Sequence, residues 1–263
     1  MIFHLPLLNP VAFSLGPIAI RWYSLAYIAG ILFGLFWLKK CNNKERFLSK
    51  EAYDDWLVWM VLSILLGGRF GYVFFYNSSY FLSHPLEIFA FWHGGMSFHG
   101  GLLGSILGMW LFAKKYKINF LQLTDVLCTA APVGLFFGRL ANFVNLELYG
   151  RVSGSSFGVI FPGAGDLPRH PSQLYEAFFE GIVLFVILFF LQKFSCHSRR
   201  RGFLSGVFLT LYGSFRILIE NFREPDQQVG FLFSQITMGQ LLSLPLIFGG
   251  IFLIFFCRKK KKN

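Results

Sequence analysis

The chain has 263 residues, 55% of them hydrophobic and only 14% charged, with a formal net charge of +11. Soluble domains carry roughly 25% charge, and unbroken apolar runs of about 20 residues match a ~30 Å hydrocarbon core, so a soluble fold is excluded. Nucleic acid is excluded as the meaning of the positive charge, because the basic residues sort into short runs between apolar segments and no folded domain carries them.

Residues 1–17 contain Pro6, Pro10 and Pro17 and lack a basic leader. They read as an irregular arm at the membrane interface rather than a cleaved signal. Apolar runs then predict about seven spanning helices, over 18–38, 56–75, 97–113, 123–143, 172–192, 203–222 and 237–257. The third is short, and Pro85 to Gly95 before it reads as interfacial or re-entrant. No internal repeat or long linker divides the chain, so residues 1–263 form one membrane domain. The fold class is all-α, a polytopic transmembrane bundle.

Lys39, Lys40, Lys44, Arg46 and Lys50 follow the first span, and Lys114, Lys115 and Lys117 the third. Lys193, Arg199, Arg200 and Arg201 follow the fifth, and Arg258 through Lys262 the seventh. These are alternate loops. The positive-inside rule therefore predicts an external N-terminus and a cytoplasmic C-terminus. Cys41, Cys128, Cys196 and Cys257 have no metal or redox spacing and are expected as free thiols.

Arg21, Arg69, Arg139 and Arg216 lie inside or at the edge of spans. A guanidinium in hydrocarbon costs roughly 2.5–3.5 kcal/mol or more and needs a partner, a cavity or a route to the interface. Counting along the helices puts Arg69, Arg139 and Arg216 about 20–24 Å from the inner edge, and Arg21 begins its span on the outer side. An anion held near the outer leaflet accounts for all four together; snorkelling accounts equally well for Arg21 alone.

Four constellations carry chemistry. His93 to Gly101 holds four glycines and His99, a proton acceptor by type or an interfacial histidine satisfied by hydrogen bonds. The spacing of His93 and His99 makes no metal site, and Ser97 lacks a nucleophile-elbow context. Arg139 and Asn142 share a helix face and suit a phosphate or hydroxyl ligand, unless Arg139 merely pairs with Glu147. Tyr212, Arg216 and Glu220 recur at i, i+4, i+8, with Arg223 one turn on. Glu220 offsets Arg216 in part, but one carboxylate cannot neutralise two arginines. Arg169 to Glu176 opens the fifth span, where Gln173 and Glu176 either cap the helix or face a cavity. Tyr23 fits the depth of the arginines, or is an aromatic-belt residue.

These residues resemble the signatures of the bacterial prolipoprotein diacylglyceryl transferase family. His93–Gly101 is similar to W-x-G-G-M-S-F-H-G-G, and Gly138-Arg139-Leu140-Ala141-Asn142-Phe143 with Glu147, Gly150 and Arg151 to G-R-x-x-N-F-x-N-x-E-x-x-G-R. Arg169–Glu176 is similar to R-H-P-S-Q-L-Y-E, and Tyr212–Asp226 to Y-x-x-F-R-x-x-x-E-x-x-R-x-P-D. The resemblance runs from Trp22-Tyr23 to Met238-Gly239-Gln240. Leu146 departs from a frequent glycine, and the loop from Gly154 to Leu167 is short for the family.

The resemblance implies a multi-pass enzyme of the bacterial cytoplasmic (inner) membrane with a central lipid-binding cavity and an active site toward the outer face. Such an enzyme moves the diacylglyceryl group of phosphatidylglycerol onto the lipobox cysteine of a preprolipoprotein signal peptide. A thioether forms and glycerol phosphate leaves, without metal or cofactor. By the same resemblance Arg139 and Arg216 hold the phosphate, and Tyr23, Tyr212, Asn142, Glu147, Gly150 and Glu220 support them. His99 is a candidate base, alongside a phenolate route through Tyr23 or Tyr212. A transporter for an anionic solute is the competing reading; it calls for repeat symmetry and a midplane site, whereas these charges lie off-centre.

Overall fold

The computed structural model describes residues 2–16, 18–91, 94–155, 157–225, 231–232 and 236–256. His93, Asp226, Cys257 and the basic run from Arg258 to Lys262 lie outside the described residues. The elements in order are β1 (Ile2–His4), β2 (Val11–Leu15), β3 (Ile18–Arg21), α1 (Trp22–Glu45), α2 (Lys50–Phe75), α3 (Ser78–Ser83), α4 (Phe98–Lys115) and α5 (Phe120–Val144). There follow β4 (Gly158–Ile160), α6 (Ser172–Glu176), a π-helical stretch Ala177–Val183, α7 (Leu184–Phe194), α8 (Phe203–Glu220), β5 (Phe231–Leu232), β6 (Ile236–Thr237) and α9 (Met238–Phe256).

Among the described residues six helices are long and apolar enough to cross a membrane: Trp22–Glu45, Lys50–Phe75, Phe120–Val144, Ser172–Phe194, Phe203–Glu220 and Met238–Phe256. The chain is thus a multi-pass helical membrane protein. The third expected span is the helix α4 (Phe98–Lys115), which carries four glycines, His99 and two terminal lysines and is not among these six.

Two expectations at the N-terminus need correction. The arm is not irregular: β2 and β3 form an antiparallel hairpin, and β1 pairs in parallel with β4. The first helix starts at Trp22 rather than residue 18, because Ile18 to Arg21 are committed to that hairpin. Arg21 ends the hairpin opposite Val11, exposed, and needs no buried anion.

The contacts divide the chain into two compact units, residues 39–124 and residues 1–38 with 125–263. In the first unit α2 and α4 pack at the distance glycine allows. A Cβ on Gly67 would lie 2.5 Å from the Gly100 carbonyl oxygen, and one on Gly104 2.7 Å from the Cα of Gly67. Small residues four apart on facing helices are the usual means of such approach in membranes. Trp59 Nε1 donates to the Gly108 carbonyl at 2.9 Å, and the Trp56 ring meets Phe112 edge-on.

Arg69 corrects the reading of the four arginines as one anion site. It is 3% exposed and donates from Nε to the Ile88 carbonyl (2.8 Å), from Nη2 to Glu87 (2.6 Å) and from Nη1 to Gly94 and Gly95 (3.2 Å to the latter). Its planar fork thus satisfies the carbonyls of Glu87, Ile88, Gly94 and Gly95. Backbone outside an α-helical ladder, here the 3-10 turn Pro85–Phe89 and the glycines Gly94 and Gly95, needs other partners, and a buried cation supplies the donors.

In the second unit Leu184, Leu188 and Leu204 form a buried cluster flanked by Phe203, Val207 and Leu211. Asp125, near the start of α5, accepts from the Gly202 N–H (2.7 Å) and from the N–H and hydroxyl of Ser205 (both 2.8 Å). The buried carboxylate thereby satisfies donors that the N-terminus of α8 leaves open. Cys128 and Cys196 are free thiols, as expected.

Replacing Arg69 with Gln leaves several buried carbonyls short of a donor. The variant should lose about 3 kcal/mol of stability, read as a lowered thermal midpoint in detergent.

Candidate active site

The residues discussed next, His99 apart, belong to the unit formed by residues 1–38 and 125–263. Arg139 projects from α5 and Arg216 from α8, and both reach the carboxylates of the fifth span. Arg139 Nη1 lies 3.2 Å from Glu176 Oε2, and its Nη2 donates to Glu180 Oε2 at 3.3 Å. Arg216 Nη1 donates to Glu176 Oε1 and lies 3.9 Å from Glu180 Oε1; its Nη2 is 3.1 Å from Glu220 Oε2. Arg223 Nη1 donates to the same Glu176 Oε1 at 3.4 Å. One fully buried carboxylate is therefore shared by three guanidinium groups, one from α5 and two from α8 and the turn after it.

The alternative pairing of Arg139 with Glu147 is not what the fold adopts. Nor does Glu220 stand alone against two arginines: Glu176 and Glu180 join it, so three carboxylates face three guanidinium groups. Glu180 is absent from the sequence expectations, whereas Arg223 stands one turn beyond Glu220 as its spacing implies. A signal was present. Glu176 and Glu180 are four apart in an otherwise apolar span, where an ionisable side chain marks a function or a partner. The π-helical turn from Ala177 to Val183 carries Glu180, and such widened turns concentrate at functional sites.

Burial divides this cluster in a useful way. The side chains of Glu176 and Glu180 are 0% exposed and that of Glu220 6%, whereas Arg139 and Arg216 keep 15% and 13%. Carboxylates form the back of the cluster, and guanidinium edges are what an incoming ligand meets. Each guanidinium has five N–H donors, and no partner of Nε in Arg139 or Arg216 occurs among the described residues.

A second group adjoins through α5. Asn142 Nδ2 donates to the Tyr23 hydroxyl and, at 3.1 Å, to Glu147 Oε1. Glu147 sits between Leu146 and Leu148, whose φ angles of 58° and 56° are unusual for side chains with a Cβ. Backbone with positive φ is the region that glycine adopts without steric cost. Gln173 Nε2 donates to the Glu147 carbonyl (2.7 Å) and Ser172 Oγ to that of Leu148 (3.0 Å), fastening this turn to α6.

Two glycines are dictated by close approach. A Cβ on Gly150 would come within 2.5 Å of the carbonyl oxygens of His170 and Phe222, where Gly150 bridges to Arg223. A Cβ on Gly239 would sit 2.7 Å from the Glu220 carboxylate, which rests on the first turn of α9, where helix N–H groups favour negative charge. Beside them Arg151 donates to the carbonyls of Arg223 (2.8 Å) and Glu220 (3.3 Å), capping the end of α8.

Tyr212 stacks on Phe208 within electrostatic reach of Glu180, Arg139 and Arg216. His99 belongs to the unit of residues 39–124. It is exposed in the first turn of α4, where Ser97 accepts from the Gly100 N–H at 3.2 Å and caps the helix. The expected residues Tyr23, Tyr212, Arg139, Asn142, Glu147, Gly150, Arg216 and Glu220 thus share one unit, and His99 is carried by the other.

A family model described as prolipoprotein diacylglyceryl transferase matches residues 10–256. Curated relatives named phosphatidylglycerol–prolipoprotein diacylglyceryl transferase include those of Rickettsia conorii, 51% identical over 98% of this chain and 99% of the relative, and Rickettsia canadensis, 52% identical over 95% and 96%. That of Rickettsia typhi is 49% identical over 98% of this chain and 99% of its own length.

Glu176→Ala removes the carboxylate that three guanidinium groups share. The loss should approach the about 3–5 kcal/mol typical of a broken buried ion pair, measured by thermal unfolding in detergent.

Proposed function

Because the chain belongs to the prolipoprotein diacylglyceryl transferase family, we propose that it transfers the diacylglyceryl group of phosphatidylglycerol to the lipobox cysteine of preprolipoproteins. The observation that supports this reading best is the pair of guanidinium edges of Arg139 and Arg216, partly exposed over fully buried carboxylates. A phosphodiester offers oxygens to planar N–H forks, and its charge grows as the bond to the diacylglyceryl carbon breaks.

In this reading the cysteine sulfur attacks that glycerol carbon, the carbon–oxygen bond to phosphate breaks, and glycerol phosphate leaves. The thiol proton passes to a base. Arg139 and Arg216 stabilise the departing phosphate in surroundings poor in water, where electrostatic interactions strengthen. The buried carboxylates prevent a surplus of positive charge in the empty site and hold both forks in place, so little reorganisation accompanies the reaction. Asn142, Glu147, Gly150 and Glu220 shape the lipid site in the same proposal; Tyr23 and Tyr212 line it. His99 is the candidate base, with the two tyrosines as the alternative route.

The whole chain, residues 1–263, is taken as one transferase domain. It resides in the bacterial cytoplasmic membrane with its N-terminus outside, its C-terminus in the cytoplasm, and a lipid-binding cavity opening toward the outer face. The alternation of basic loops supports that orientation. The reading needs no cofactor beyond the two substrates.

The test is a purified protein given phosphatidylglycerol and a lipobox peptide, with the mass gained on cysteine as readout. Arg139→Ala and Arg216→Ala should each lose at least about 10²–10³-fold in rate, as removal of a transition-state donor does, while still inserting in membranes. Normal turnover by purified Arg139→Ala would refute the phosphate assignment. For the base, His99→Gln should slow the reaction and change its pH profile; an unaltered rate and profile would remove His99 from that role.

A further inference from the structure

The polar groups buried around the arginines are unbalanced. Gln173 Oε1, Glu176 Oε2, Glu180 Oε1 and Glu220 Oε2 are buried acceptors without a hydrogen-bond donor among the described residues. The three carboxylate oxygens at least face guanidinium groups within 4 Å. Gln173 Oε1 has no hydrogen-bond donor of any kind among the described residues. The identity of its end is settled by its neighbour: the Glu147 carbonyl can only accept, so the Gln173 atom 2.7 Å away is the amide nitrogen, and the oxygen points elsewhere.

A buried amide oxygen left unpaired by protein is disfavoured unless an ordered water or a ligand supplies its donor. Gln173 is 0% exposed, and it shares a helix face with Glu176 at i,i+3 and with the turn that carries Glu180. It joins the two polar groups of the site, since its nitrogen holds the Glu147 turn and its helix presents Glu176 to the arginines. A phosphate brings acceptors only and cannot satisfy Gln173 Oε1. A polyol attached to that phosphate brings hydroxyl donors.

We infer that Gln173 reads the lipid headgroup: its Oε1 accepts a hydrogen bond from a glycerol hydroxyl while Arg139 and Arg216 hold the adjoining phosphate. Gln173 is a specificity-determining residue in this account, which rests on the phosphate reading of the two arginines. A site built to pair with a hydroxyl rejects an analogue lacking it far more strongly than an apolar pocket does, because the buried partner is then stranded. Gln173 selects a polyol-headed phospholipid on that basis.

The test compares three lipids on the full-length protein with a lipobox peptide: phosphatidylglycerol and its two deoxy analogues, headed by propane-1,2-diol and propane-1,3-diol. With the wild-type chain, at least one analogue should fall in kcat/KM by about 10–100-fold, mainly through KM. Gln173→Met should lower kcat/KM for phosphatidylglycerol by a similar factor and leave that analogue nearly unchanged, so the preference collapses. Gln173→Glu, of equal size, keeps an acceptor but not the donor to Glu147, and should retain the ranking of the three lipids. Equal losses for all three lipids in Gln173→Met, lost ranking in Gln173→Glu, or no discrimination by the wild type would each overturn the inference and leave Gln173 as a strut for the Glu147 turn. Arg139→Lys separates the underlying reading: a raised KM for all three lipids supports the phosphate site, and unchanged KM values would refute that site instead.

Discussion

Glu176 is held by Arg139, Arg216 and Arg223, and the rest of the site is arranged around that sharing. Three cations brought together in a membrane protein repel one another and lose their hydration, so no such cluster persists without buried counter-charge. The sixth helix supplies it from behind, through Glu176 and the following Glu180. The consequence is a site close to neutral when empty, with its donors facing outward. In the proposed reaction an anion exchanges partners at the guanidinium edges, with the charges already desolvated.

The backbone around the cluster is fixed by similar means. Arg151 caps the end of α8 just where Glu220 and Arg223 leave it, and Gly150 admits the two strands closely enough to bridge. Asp125 performs the corresponding task at the other end of α8. Both ends of the helix that carries Tyr212, Arg216 and Glu220 are thus closed by charged side chains from elsewhere in the chain. Such pinning suits a site in which positions must hold to within a fraction of an ångström.

Arg69 illustrates how chemistry alone misleads. Its residue type and helical depth match those of Arg139 and Arg216, yet its donors are spent on the carbonyls of Glu87, Ile88, Gly94 and Gly95. A planar fork suits a folded-back peptide segment as well as a phosphate. Burial and depth of an arginine therefore indicate that it has partners, and say nothing about which.

Apolar run length, the alternation of basic loops and the spacing of Tyr212, Arg216 and Glu220 are local properties. They were sufficient for a helical membrane protein and for most helix positions. The β2–β3 hairpin was hidden because Ile18 to Ile20 are as apolar as the helix they precede, and strand pairing depends on a partner segment. The counter-charges were hidden for a related reason: nothing near Arg139 along the chain announces Glu176 and Glu180, some forty positions away. Tertiary structure alone decided which carboxylate meets which guanidinium, since burial makes each charge dependent on a partner that the fold, not the local sequence, brings within reach.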